Sequence, residues 1–208
     1  MSEESIIYQG AEAKIIRSTF FNIPVVRKHR MVKRYRIQQL NDQLISTRTK
    51  EEAKLMGLSR QQGVSVPLIY DIDIINGIIT MGYLDGPRVK DIFDSLSKKK
   101  RKQLCFIIGD TIARLHSNDI IHGDLTTSNM IFAYDNVYMI DFGLGEISPE
   151  IETKGVDLHV LMEAMESTHA QHAKDFQFVL EGYKKTYLHN ADEVIKKIDD
   201  IVKRGRYR

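Results

Sequence analysis

Short β-branched and apolar runs fill roughly the first eighty positions, whereas helical spacing dominates everything after Asp91. Ile6-Ile7-Tyr8, Lys14-Ile15-Ile16 continuing to Phe20-Phe21, and Val25-Val26 are predicted strands, separated by Gly10 and by Asn22-Ile23-Pro24. Their short connections predict an antiparallel meander. From Leu44 to Gln62 the apolar residues Leu44, Ile45, Ala53, Leu55, Met56 and Leu58 recur at spacings of three and four, with Gly63 as a stop, which predicts a helix. Leu68 to Asp73 and Ile78 to Met81 read as two more strands joined across Asn76-Gly77, a hairpin pair. The pattern breaks at Gly82-Tyr83-Leu84-Asp85-Gly86-Pro87. Helices are predicted over Val89–Leu96, Lys98–Ser117, Gly155–Ser167, Ala170–His189 and Ala191–Arg204, with a polar strand-loop-strand stretch from Ile120 to Gly145. The chain shows no internal repeat and no low-complexity tract.

Composition narrows the class. At 208 residues, 42% hydrophobic and 28% charged, the chain has the balance of a globular protein large enough for one or two domains. Thirty basic against 28 acidic side chains leave a formal charge of +2, so any basic surface must be local. The single cysteine, Cys105, sits among Leu104, Phe106, Ile107 and Ile108 and reads as a small core residue, which excludes an internal disulfide and a thiolate metal cage. The start, Met1-Ser2-Glu3-Glu4, is acidic where a secretory signal is basic, and no apolar run reaches the ~18 residues of a membrane span, so a cytoplasmic location without membrane partners is expected.

The chemistry concentrates in His122-Gly123-Asp124-Leu125-Thr126-Thr127-Ser128-Asn129, followed by Met130-Ile131 and then Tyr138-Met139-Ile140-Asp141-Phe142-Gly143. The pattern is H-G-D-L-x-x-x-N, then D-F-G. Phosphoryl transfer asks the protein mainly to position groups and neutralise charge, with an aspartate near the acceptor oxygen and oxygen ligands for magnesium. Asp124 would orient the acceptor and accept its proton, Asn129 would return to the metal, and Asp141 would bridge metal and phosphates. Singly, each has a bland reading as a turn or strand-end residue; in this order, with hydrophobic strands between, they form a set. His122 reads as a scaffold residue with no role as base.

These motifs resemble the protein-kinase-like superfamily. Gly10-Ala11-Glu12-Ala13, the stretch Lys28-His29-Arg30 to Tyr35-Arg36, the Thr126-Thr127-Ser128 insert, Lys154-Gly155-Val156-Asp157-Leu158 and the terminal Arg204-Gly205-Arg206 resemble one family within it, the small atypical serine/threonine kinase subunit of the KEOPS complex. The lack of an extension at either end is closest to its compact archaeal members. The resemblance implies an α+β, compact bilobal kinase-like fold. Residues 1–84 would form an N-lobe of five antiparallel strands and one helix, 85–203 a truncated helical C-lobe with the catalytic loop, and 204–208 a basic tail.

Carried over residue by residue, the resemblance makes Lys28 the strand-three lysine on the nucleotide phosphates, preferred by register to Arg27 and Lys33, although the text is Val25-Val26-Arg27-Lys28 rather than V-A-I-K. Glu52 would be its helix partner, because Glu51 faces elsewhere on a helix turning about 100° per residue. Gly82 to Leu84 matches the adenine-binding hinge and Met81 the gatekeeper. ATP and magnesium are thereby implied, with Asn129 and Asp141 on the metal. Also implied are serine/threonine autophosphorylation or ATP hydrolysis, and support of threonylcarbamoyl modification of adenosine in tRNA beside a partner ATPase-fold subunit that does the modifying chemistry.

Several departures qualify the resemblance. Gly10-Ala11-Glu12-Ala13 has one glycine where typical kinases have three, and Glu12 would lie beneath an anionic ligand. Gly123 replaces the arginine of H-R-D, which disfavours activation by loop phosphorylation. Only Leu144 to Lys154 separates D-F-G from the next helix, and Ser148-Pro149-Glu150 is a vestige of A-P-E. Asp157 matches the aspartate that ties a later helix to the catalytic-loop backbone, or is a first-turn acid favoured by the helix dipole.

Three basic clusters stand out: Arg27, Lys28, Arg30, Lys33, Arg34 and Arg36; Lys98 to Lys102; and Lys203 to Arg208. The second reads as a solvated face. The last, with Arg204, Arg206 and Arg208, is weighed equally between a solvated end and a contact for tRNA or the partner subunit. His169 and His172 read as surface or helix-packing residues. Two other readings stay open: a small-molecule kinase of the aminoglycoside or choline type, which shares H-G-D-L-x-x-x-N, and a pseudokinase scaffold that only docks.

Overall fold

The computed structural model describes residues 4–10, 12–32 and 37–205. By contact the chain divides into two units, Met1–Gly57 with Pro67–Asp85, and Leu58–Val66 with Gly86–Arg208.

The first unit is an antiparallel sheet in the order β1-β2-β3-β5-β4, from β1 (Ser5–Gln9), β2 (Ala13–Phe20), β3 (Ile23–Arg30), β4 (Ile69–Asp73) and β5 (Ile78–Gly82). β2 and β3 close over Phe21-Asn22, whose φ values of 47° and 65° are those of a tight primed hairpin turn, so Phe21 belongs to the turn rather than to the strand. Asp73 takes the Asn76 backbone N–H (2.9 Å) and side-chain amide (2.7 Å), closing the β4–β5 turn. Those two bonds hold the exposed Asp73 carboxyl below the usual carboxylate range.

Helix α1 (Gln38–Gln61) starts six residues before its apolar periodicity does. Its first turn, Gln38-Gln39-Leu40-Asn41, is polar apart from an exposed Leu40, so no buried stripe announced it. Farther along, Glu52, Ala53, Leu55 and Met56 are buried.

Residues 58–66 belong with the second unit for a visible reason. Val64 and Val66 are buried, the Ser65 carbonyl accepts from Met139 N–H (2.9 Å), and the Ser65 hydroxyl accepts from the Asn136 amide (3.0 Å). The rest of that unit is α2 (Val89–Ile92) with a 3₁₀ turn at Phe93–Ser95, α3 (Lys98–Ser117), β6 (Ile120–Ile121), a 3₁₀ turn at Thr127–Asn129, β7 (Met130–Ala133), β8 (Asn136–Met139), β9 (Glu146–Ile147), α4 (Ile151–Thr168), a 3₁₀ turn at Ala170–Asp175, α5 (Phe176–Thr186) and α6 (Ala191–Gly205). Helix α3 has the bounds its spacing predicts, with Ser97 accepting the Lys100 N–H at its N-terminus. Helix α4 begins four residues before the predicted start because Gly155 is interior: it leaves room for Lys197 of α6 rather than opening the helix.

Helices α3 and α5 approach closely through a reciprocal pair of glycines. A Cβ on Gly109 would overlap the Val179 carbonyl, and one on Gly182 would overlap the Phe106 carbonyl. Cys105 is fully buried in α3, and burial pushes its thiol up to about 12. Among the described residues no helix is long and apolar enough to cross a membrane.

Candidate active site

In the first unit, strand period decides which basic residues of β3 meet the helix. Lys28 and Arg30 share a face, whereas Arg27 points the other way and pairs with Glu4 (2.7 Å). Lys28 Nζ donates to Glu52 Oε1 at 2.6 Å, and Arg30 Nη2 donates to Glu52 Oε2 at 2.5 Å. All three side chains are buried, Glu52 to 1% exposure, while Glu51 is exposed. Burying a carboxylate is costly unless it is paired, and here both oxygens are. Two cations thus share one buried carboxylate. Arg30 was not singled out as a site residue, although its i+2 spacing from Lys28 was the available signal.

Of the degenerate glycine-rich segment, Gly10 N–H donates to the Ala13 carbonyl (2.9 Å), and the Glu12 carbonyl accepts from Met31 N–H. The Glu12 carboxylate pairs with Arg48 of α1 at 3.0 Å, which offsets its charge near any phosphate. Ala11 lies outside the described residues, as do Lys33, Arg34 and Arg36 of the first basic cluster. Met81 is buried at the end of β5. The N–H groups of Gly82 and Tyr83 already donate to the carbonyls of Leu68 (2.8 Å) and Pro24 (3.1 Å). An adenine edge at this hinge would therefore be left with Leu84 as its backbone donor.

In the second unit the catalytic loop runs from β6 to β7. Asp157, one turn and a half into α4, accepts the His122 N–H on Oδ2 (2.9 Å) and the Gly123 N–H on Oδ1 (2.9 Å), and His116 Nε2 lies 3.1 Å from Oδ2. Burial alone would push this carboxyl up, but the His116 hydrogen bond and charge, with the His122 charge and backbone N–H, hold it below the usual carboxylate range. The tether reading of Asp157 is thus the geometry observed. Tyr183 donates or accepts at His116 Nδ1 (3.1 Å), and burial raises its phenol.

Asn129 Nδ2 donates both to the Asp124 carbonyl (3.0 Å) and to Asp124 Oδ2 (2.8 Å), so its side-chain oxygen is left to face elsewhere. The Asn129 carbonyl accepts from Ile140 N–H (3.0 Å), which fixes this loop against the residue before Asp141. Asp141 sits at φ 66°, a left-handed conformation that costs a non-glycine residue about 1 kcal/mol, and accepts the Gly143 N–H at 3.3 Å. Phe142 is buried against the His122 ring, centroids 4.6 Å apart, and His122 Nε2 lies 3.1 Å from the Ile140 carbonyl. His122 is structural, as its motif position suggested.

Gly123 has φ 80°, and a Cβ there would overlap the Leu144 carbonyl. The residue that stands in place of the H-R-D arginine is a glycine because the chain after D-F-G passes directly over it. At the far end of the unit, Arg204 lies in the last turn of α6 and pairs with Glu152, which Lys197 also reaches at 3.2 Å; Arg206 and Arg208 lie outside the described residues. In the lysine run, Arg101 is not part of a free face: it donates to Asp175 (2.7 Å) and to the Leu96 carbonyl (2.6 Å). His169 is buried, contrary to a surface reading.

Comparison with known proteins shows the family. Residues 13–144 match the RIO domain family. The chain is 43% identical over 211 residues to the KEOPS complex subunit Bud32 of Pyrococcus abyssi, covering 98% of this chain and 96% of that protein. It is 40% identical over 205 residues to a probable bifunctional tRNA threonylcarbamoyladenosine biosynthesis protein of Methanobrevibacter smithii, covering 98% of this chain and 37% of that one. Among solved structures it resembles the Rio2 kinase of Chaetomium thermophilum, in a complex described as ADP/Mg2+-phosphoaspartate, with a TM-score of 0.66 over 96% of this chain and 65% of the other. At 15% identity that likeness concerns the fold. The fold and the RIO match define the chain as an atypical kinase of the RIO class. Within that class it belongs to the Bud32 family.

Proposed function

We propose that this atypical kinase transfers the terminal phosphoryl group of ATP to a serine or threonine hydroxyl, its own or another protein's, or to water. We propose further that it does so as the kinase subunit of a KEOPS-type assembly that supports threonylcarbamoyladenosine formation in tRNA. The observation that carries this reading is the 2.8 Å bond by which Asn129 holds the Asp124 carboxylate, on a loop whose backbone Asp157 clamps. That bond fixes the carboxylate that would meet an acceptor hydroxyl, and it leaves the Asn129 side-chain oxygen as a candidate metal ligand.

The donor set fits magnesium. Asn129 and Asp141 offer oxygen ligands only, and no group of three or more His, Cys, Asp or Glu side chains among the described residues forms an all-protein cage. Magnesium is usually bound by one or two carboxylates, with waters and substrate phosphates completing its shell. When bound, it would neutralise charge on the phosphates. Asp124 would orient the acceptor hydroxyl and take its proton; Lys28, held by Glu52, would offer its ammonium to the phosphates; Gly10, Glu12 and Ala13, with Ala11 outside the described residues, and Met81, Gly82 and Leu84 are the remaining nucleotide-contact candidates. The relatives' names supply the KEOPS complex and tRNA; the ATPase-fold partner rests on the family resemblance alone, with Arg204, Arg206 and Arg208 as a candidate contact and the cytoplasm as the location.

Asp124→Ala should lower phosphoryl transfer by roughly 10²- to 10⁴-fold with an unchanged melting temperature. Measurement with labelled ATP, protein hydroxyls and amino sugars as competing acceptors also separates protein kinase from small-molecule kinase. Turnover equal to wild type would remove Asp124 from the mechanism.

A further inference from the structure

The catalytic loop is clamped at its entrance by Asp157 and at its exit by Asn129. Between them lies Thr127, three residues after Asp124 and two before Asn129. Its side chain is 2% exposed. Its Oγ1 lies 3.0 Å from His169 Nε2, and His169 Nδ1 lies 2.9 Å from Asp94 Oδ1.

The three residues come from distant parts of the chain: Thr127 from the loop, His169 from the residue that ends α4, and Asp94 from the 3₁₀ turn after α2. The imidazole is fully buried and packs on Phe93, ring centroids 4.7 Å apart. A carboxylate can only accept, so Nδ1 carries a hydrogen and donates to Asp94. In the neutral ring Nε2 is then an acceptor, and the Thr127 hydroxyl donates to it. The order aspartate, histidine, hydroxyl fixes one tautomer and one ring orientation.

Thr127 is buried, but the loop around it is open on one side. Thr126, Thr127 and Ser128 border an open hollow of about 750 Å³ whose far wall is Glu163, Ala164 and Ser167 of α4. The bond to His169 is the side-chain anchor there. Residues that orient a reacting group through another typically contribute 10- to 100-fold, and small displacements of a reacting group are similarly costly.

We propose that His169 is a positioning residue: through Thr127, and itself held by Asp94, it sets the spacing between the Asp124 carboxylate and the Asn129 oxygen. This rests on the phosphoryl-transfer reading above. The test is a double-mutant cycle on full-length protein with Thr127→Val, which keeps the shape and removes the hydroxyl, His169→Leu, and the two together, with Thr127→Ser as the conservative variant. Each single change should lower kcat about 10-fold with the KM for ATP unchanged. The double variant should be no worse than the poorer single, and Thr127→Ser should match wild type.

Amide hydrogen exchange over residues 125–129 gives a readout independent of activity, and should accelerate in Thr127→Val. Exchange at the wild-type rate in that variant, an unchanged kcat, or losses that multiply in the double variant would each overturn the anchor. A wild-type protein without phosphoryl transfer would instead defeat the functional reading, while loop exchange would still decide whether His169 holds Thr127.

Discussion

Each unit buries one multiply bonded carboxylate, and the two are satisfied by opposite means. Glu52 is met by two full charges, Lys28 and Arg30. Asp157 is met by two backbone N–H groups and His116. Full charges hold Glu52. Mostly dipolar partners hold Asp157, in a unit whose chemistry-bearing side chains, Asp124 and Asp141, are acidic. On the proposed function, Lys28 would meet phosphate and Asp124 a hydroxyl, so one unit would offer a cationic group and the other a carboxylate.

The sharpest way to break that contrast is to neutralise Glu52. Glu52→Gln removes the buried carboxylate that Lys28 and Arg30 share and should destabilise by about 3–5 kcal/mol, whereas Arg30→Met leaves the Lys28–Glu52 pair whole and should cost about 1 kcal/mol or less. Urea midpoints test the order, and a larger loss in Arg30→Met would show that Lys28 alone does not satisfy Glu52.

Asp157→Asn should cost about 2–3 kcal/mol at neutral pH, because two N–H donors lose a charged acceptor. The folded carboxyl is held below its unfolded value of about 3.9, so its contribution is fully present above that pH and is lost as pH falls through the folded value. The difference in melting temperature between wild type and variant should therefore be flat from about pH 5 to 7 and shrink below about pH 4. A gap that widened on acidification would reverse the assigned sign.

The smallest effect concerns Cys105, which lies outside both clusters. With its thiol pushed up to about 12, it should resist alkylation in native buffer and react only with the globally unfolded chain. Rapid modification without denaturant would contradict the packing of α3.

Much of this was legible in the residues, for reasons that differ by element. Helix α3 was readable because its apolar residues repeat over the full length of a buried face. Lys28 and Glu52 were legible only through the family resemblance, with strand register and helix turn deciding against their neighbours Arg27 and Glu51. The start of α1 was illegible because its first turn buries no apolar stripe, and that of α4 because Gly155 looks like a boundary when it serves a close helix contact. His169 could not have been found: it is 42 positions from Thr127 and 75 from Asp94, and no local spacing encodes such a meeting. The bonds of the Gly82 and Tyr83 N–H groups to the Leu68 and Pro24 carbonyls were likewise illegible, since no local spacing encodes them.

The crowding at Gly123 also constrains descent. With the Leu144 carbonyl where a β-carbon would go, one codon change toward arginine cannot yield a viable H-R-D loop. The segment after Phe142 would have to be displaced beforehand, by mutations useless until the arginine arrived. A side chain at position 123 thus fits only where the chain after Phe142 takes a different course.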